Sequence, residues 1–171
     1  MKKITFLIIV ILMSLNTAYL FAQPTMETNQ QAKNKTTVRR LYEEVLNTGN
    51  FSIADQFIDP DYTGVRGEKG SGGFTETIKP VRAAFPDIKW TVEDLIAEDN
   101  KVVIRWSWVG TNGSSFNGFP VTNKEVTQTA IAIYEFKGDR IIKAWMQSDR
   151  LGFFQQIGVL KVEQTNPPQR K

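Results

Sequence analysis

The spacing of apolar residues changes period once in this chain, at Pro86, and that change bounds the fold. Before it, Val38, Leu41, Tyr42, Val45 and Leu46 recur at i, i+3, i+4, i+7 and i+8, one face of a helix. Asn47-Thr48-Gly49-Asn50 stops it. A short second helix is predicted from Ser52, with Ile53, Phe57 and Ile58 inward and Pro60 as its end. Residues 61–73 read as a Gly-rich connection. A third helix is predicted over about 73–85, where the Pro80 ring should clash with the Glu76 carbonyl and kink it. After Pro86 the period is two. Ile88, Trp90 and Val92 alternate with polar residues to about Ala97, and Asp99-Asn100 turns the chain. Residues 102–111 form a second strand rich in β-branched and aromatic side chains. A Gly/Ser/Asn loop over 112–123 carries Phe116 and Phe119. Strands over 125–136 and 140–148 flank a tight turn, and a short helix over about 150–158 closes the pattern. Three helices followed by an antiparallel meander make an α+β layout. Helices on one side of a strongly bent sheet enclose a space.

The N-terminus follows another pattern. Lys2 and Lys3 precede an apolar run over 4–13, and Ala22 is a small residue suited to cleavage. The run is short for a span of about 20 apolar residues, and Ser14, Asn16 and Thr17 interrupt its extension. We expect residues 1–22 to be a signal peptide, 23–34 a polar linker, 35–160 the domain and 161–171 a disordered tail. The expected location is secreted or periplasmic. Cleavage would leave 149 residues, enough for one domain with its own core. It would remove two of 21 basic residues and none of the 18 acidic ones, so the net charge would fall from +3 to +1. No Lys/Arg run survives in the domain, so no nucleic-acid partner is expected, and no membrane partner after cleavage.

Two residue types are missing. The chain has no cysteine, which rules out disulfides, thiolate chemistry and an N-terminal lipid tether through Cys. It has no histidine, which rules out Ser-His-Asp and Cys-His catalysis and the commonest zinc-ligand sets. Asp, Glu, Tyr, Lys and Arg remain for proton transfer, and neither a metal nor a cofactor is expected.

Four segments, "VRRLYEEVLNTGNFSIADQFIDPDYTG", "VRAAFPDIKWTVEDLIAEDNKVVIRWSWVGT", "FNGFPVTNKEVT" and "GDRIIKAWMQSDRLGFFQQIG", resemble the SnoaL-like polyketide cyclase (ester cyclase) family. The resemblance runs from about Lys35 to Gly158 and implies the cone-shaped NTF2-like fold. It also implies cofactor-free proton transfer at carbon, as in aldol cyclisation, isomerisation or dehydration. In the founding cyclases an Asp at the end of the last long strand is the acid/base, and Asp149 matches that position. Many members carry His after the second helix, where this chain reads "DPDYTGVRG", and His or Glu where it has Ala144.

For Asp149 two readings stand side by side: a cavity acid/base tuned by apolar walls, or an N-cap for the helix after it. By strand parity Trp145, Gln147 and Asp149 share a face. If that face is inward, Trp145 is a flat wall and Gln147 a neutral hydrogen-bonder. Gln128 shares parity with Ala130, Ala132 and Tyr134, which suits a cavity floor or close helix packing. Tyr62 could donate near the mouth, and Phe116 and Phe119 could form an apolar lid. The expected partner is a small, apolar, carbonyl-bearing ligand. A homodimer is compatible with the pattern, and so is a non-catalytic binding module.

Overall fold

The computed structural model describes residues 27–160; the expected signal peptide and the tail lie outside them. Helix α1 (Asn29–Arg40) continues as a π-helical turn, Leu41–Leu46, and a 3-10 turn comes next over Phe51–Gln56. Then come β1 (Ile58–Thr63), α2 (Gly70–Ala84), β2 (Lys89–Glu98), β3 (Lys101–Thr111), β4 (Glu125–Lys137), β5 (Arg140–Ser148) and α3 (Arg150–Gln156). The curved, unclosed sheet has the order β1-β5-β4-β3-β2. Its pairs are antiparallel except β1 with β5. The α+β architecture expected from the change of period is present.

Three local expectations are corrected. Residues 29–34 are not a linker: the helix starts at Asn29. Thr28 accepts from Gln31 N at 3.2 Å while its own N–H donates to Gln31 Oε1 at 2.8 Å, a capping box that satisfies two end groups at once. Gln30 Nε2 then ties this turn to Asp139 Oδ1 at 3.0 Å, ahead of β5. The second correction is β1, which occupies what read as a helix end and a loop. Pro60 hid it, yet proline is tolerated there because β1 is an edge strand. Third, α2 begins at Gly70, and Pro80 lies within it.

The core forms where α1 and its π turn meet the sheet. Val38, Leu41 and Val45 are fully buried, as are Val102 and Ile104 of the sheet. Each such side chain contributes roughly 1.5–3 kcal/mol of burial. With no disulfide available, this cluster carries the opposition to chain entropy. Along β3, buried Val102, Ile104, Trp106 and Trp108 alternate with outward residues such as Arg105, which pairs with Asp94 at 2.7 Å on the exposed face.

A single irregularity sets the orientation of the second half of β5. Phe136 pairs with Ile141 and Glu135 with Lys143, so Ile142 is an extra residue in the strand. Ile141 and Ala144 are therefore both buried although their parity differs. Downstream of the bulge the even residues of β5 face inward and the odd ones outward.

Candidate functional site

The inner face of the sheet is not filled. Ala132 lies between Ile104 and Met146 in the register, and Ala144 lies opposite Tyr134. These short side chains leave a cavity of about 540 Å³. Trp90, Trp106 and Trp108 wall it from the sheet, and Phe74 and Phe153 from the helices. Phe85, Trp108, Phe116 and Phe153 pack with ring centroids 5.0–6.1 Å apart, so one end is a rigid aromatic block.

The polar groups inside are few and specific. Tyr42, aimed inward by the π turn, has its hydroxyl 3.0 Å from that of Tyr134. One hydroxyl donates to the other, so the acceptor's own proton stays free for a third group. Burial pushes the Tyr42 phenol well above its ordinary value, and the neighbouring Tyr134 adds to this. Burial likewise pushes Tyr134 up to about 12, against the opposing hydrogen bond from Tyr42. Tyr62 is raised by burial first, then by Tyr134 and Glu68. All three phenols are therefore neutral donors at ordinary pH.

Trp106 adds a donor with nothing to bond. Its Nε1–H is buried and has no partner. The indole lies beside Tyr42, with ring centroids 6.4 Å apart; its N–H is close enough to the phenol to oppose the upward push of burial but lies outside hydrogen-bonding geometry. Trp108 differs: its Nε1–H donates to Gln128 Oε1 at 3.1 Å. Leaving a buried N–H unbonded costs about 1–3 kcal/mol. Trp106 and Tyr42 both line the cavity, with the N–H itself covered from solvent.

A family model described as SnoaL-like polyketide cyclase matches residues 36–157. This chain belongs to the SnoaL-like polyketide cyclase family. The family provides a ligand-binding fold of cyclase and isomerase type. A candidate polyketide cyclase from Acidithiobacillus ferrooxidans is 32% identical, with TM-score 0.66, over 78% of this chain and 97% of that one. IdmH from Streptomyces antibioticus, a candidate polyketide cyclase, is 25% identical, with TM-score 0.64, over 73% of this chain and 98% of that one. TsrD from Streptomyces laurentii is 23% identical, with TM-score 0.71, over 78% of this chain and all of that one, a likeness of fold. No similar protein was found among curated sequences.

Within this family the expected site residues separate. Asp149, the acid/base candidate that the resemblance implied, is exposed, and its Oδ1 accepts from Gly152 N at 2.8 Å as the N-cap of α3. Ser148 and Arg150 line the cavity; Asp149 does not. Trp145 is also turned out: it is 39% exposed, with Lys143 Nζ 4.8 Å from its ring centroid. Both departures have one cause, the bulge at Ile142, which puts the shared face of Trp145, Gln147 and Asp149 outside. Gln147 is exposed but still reaches the lining. Phe119 meets Phe154 edge to face, with ring centroids 5.5 Å apart, and leaves the lining to Phe116. Tyr62 and Gln128 are lining residues, and Ala132 and Tyr134 share the lining with Gln128. The Tyr42–Tyr134 pair and the Trp106 donor were not singled out from sequence. The available signal was the parity of Tyr134 with Gln128; contact with a helix residue 92 positions away leaves no mark in periodicity. Among the described residues no group of three or more His, Cys, Asp or Glu side chains is placed to hold a metal ion.

Proposed function

We propose that the cavity binds a small, flat, largely apolar molecule through a carbonyl oxygen, and that bound carbonyl compounds undergo cofactor-free proton transfer at the adjacent carbon. The observation that carries this reading is the unpartnered Trp106 N–H beside the Tyr42–Tyr134 hydroxyl pair. A carbonyl oxygen has two lone pairs and fits two converging donors. Placed there, it would have its charge held as an enolate forms, and neutral phenols in a dry site suit that task. The tryptophan walls suit a flat ring system.

A second reading, a non-catalytic binding module, is favoured by one specific observation: the family's acidic residue here caps a helix. Both readings require the carbonyl. The test is a titration monitored by tryptophan fluorescence, using 2-tetralone and tetralin, the same ring system without the carbonyl. One hydrogen bond to a buried donor predicts a preference for 2-tetralone of about 5- to 150-fold. Equal affinities, or no binding of either, would sink the carbonyl reading.

Two further proposals accompany it. Export is proposed from the Lys2-Lys3, residue 4–13 and Ala22 layout. A homodimer is proposed from the outer sheet face, where Ile131, Val109 and Trp145 are exposed; light scattering of the purified protein decides it.

A further inference from the structure

We propose that Glu68, and not Asp149, is the carboxylate that takes the proton from the substrate carbon; the proposal rests on the carbonyl-binding reading above. Glu68 lines the cavity, and only 18% of its side chain is exposed. It ends a short loop between β1 and α2 that is locked by its own backbone. Gly64 N donates to Glu68 O at 2.8 Å, and Gly67 N donates to Gly64 O at 3.1 Å. Lys69 Nζ closes the loop on Thr63 Oγ1 at 2.7 Å.

The carboxylate itself is held at both oxygens. Oε2 accepts from Arg66 N at 2.9 Å and Oε1 from Arg66 Nε at 3.2 Å. A carboxylate offers about four acceptor positions, so two remain. The neighbouring backbone is cleared for it on two sides. A Cβ on Gly64 would collide with Glu68 Oε2 and stand 3.1 Å from Tyr62 Oη. A Cβ on Gly73 would stand 3.0 Å from the Glu68 carbonyl carbon and 3.1 Å from its Cβ. The missing side chain at Gly64 is what lets the carboxylate and the Tyr62 hydroxyl approach one another. A loop staple alone does not account for this, since the Arg66 partner is 80% exposed and such a pair contributes little. The other carboxylate of the lining, Glu76, is 70% exposed and tied to Lys79 at 2.7 Å.

Burial pushes the Glu68 carboxyl up, but its own backbone N–H, that of Arg66 and the Arg66 guanidinium together hold it below the ordinary range. The group is a weak base that is always ionised at neutral pH. In the proposed step a C–H bond next to the ligand carbonyl breaks and its proton passes to Glu68. The electron pair forms the enolate, with its charge on the oxygen facing Trp106 and Tyr42. In a substrate with a second carbonyl, the enolate carbon attacks that carbonyl carbon. The new alkoxide then takes the proton back from Glu68, so no co-reactant is consumed.

The test is deuterium incorporation at C1 of 2-tetralone in buffered D2O, measured by NMR with and without protein. Wild type should accelerate exchange over buffer. Glu68→Gln should keep 2-tetralone affinity within about threefold and lose about 10²–10⁴-fold of the exchange rate. Gly64→Ala, which keeps the carboxylate but pushes it aside, should lose exchange with ligand still bound. Thermal melting of both variants guards against misfolding. Binding with undiminished exchange in Glu68→Gln, or binding by wild type without acceleration, overturns the assignment of Glu68 and leaves the binding site standing. Failure of wild type to bind 2-tetralone overturns both.

Discussion

Trp106→Phe separates the donor from the wall it belongs to. The indole N–H is buried without a partner in the free protein, a penalty of about 1–3 kcal/mol that phenylalanine removes. The same substitution deletes packing atoms, but next to an existing cavity of about 540 Å³ rather than in a closed core. The lost contacts and the relieved donor oppose each other, so net stability should change by no more than ~1 kcal/mol. Binding should respond differently for the two ligands. With 2-tetralone the hydrogen bond disappears and affinity should fall about 5- to 150-fold; with tetralin it should change little. Urea denaturation gives the first number and calorimetric titration the second. Equal losses for both ligands would mean that Trp106 acts as a surface and not as a donor. A stability loss of ~3 kcal/mol or more would mean that the N–H is already satisfied in solution.

Asp149→Asn should be nearly silent in urea denaturation and in exchange, because Asn caps about as well as Asp, whereas Asp149→Ala should cost ~1 kcal/mol; an Asn variant that folds normally but loses exchange would return this residue to the chemistry. Trp145→Ala should cost less than ~1 kcal/mol, the scale of an exposed cation–π contact, since its ring is partly solvated under Lys143; a loss of several kcal/mol in thermal melting would show that the ring is buried. Stability should fall as pH rises above the ordinary phenol range near 10. Tyr42, Tyr62 and Tyr134 have raised values in the fold, so their contribution is complete below the unfolded value and is lost as pH rises through the folded ones. Tyr134→Phe should flatten that alkaline limb in denaturation curves taken across it. The protein recovered from the producing cell's envelope or medium should lack residues 1–22 by intact mass; a chain that retains Met1 would end the export proposal.

The parts of the fold that repeat were legible in the sequence, and the parts that break a repeat were not. Strands β2 to β4 keep an alternation long enough to read; β5 was expected at its observed bounds, 140–148, but its alternation breaks at Ile142. The set of Gln128, Ala130, Ala132 and Tyr134 came from the same alternation, which suited a cavity floor or close helix packing; all but Ala130 line the cavity. β1 was missed because a parallel edge strand containing proline shows neither alternation nor a turn signal. The start of α1 was missed because its first turns are polar; Thr28 and Gln31 hold the only local cue, a capping pair. Glu68 was overlooked for a similar reason. A carboxylate in a Gly-rich connection reads as solvated unless the loop's own hydrogen bonds are visible.

Ile142 decides more about the site than any residue in the cavity. Alternation read from Ile141, which is fully buried, carries Trp145, Gln147 and Asp149 inward with it. The extra residue reverses this and brings Ala144, Met146 and Ser148 to the inner face instead. Without it the register would set Lys143 opposite Tyr134 and Trp145 opposite Ala132, and these larger side chains would occupy the space that Ala144 leaves open. The bulge therefore does two things at once: it opens the floor beneath the hydroxyl pair, and it turns Trp145 and Asp149 away from the cavity. The π turn acts alike on the facing element. Asn47 N reaches back five residues to Tyr42 O at 2.9 Å, and this wider turn is the one that carries Tyr42. Each irregularity adds a residue to a regular element and presents an inner face to the same cavity. A cavity whose hydroxyl pair depends on two such insertions, and whose half-buried Glu68 carboxylate depends on the missing side chain at Gly64, is set by backbone geometry more than by residue type.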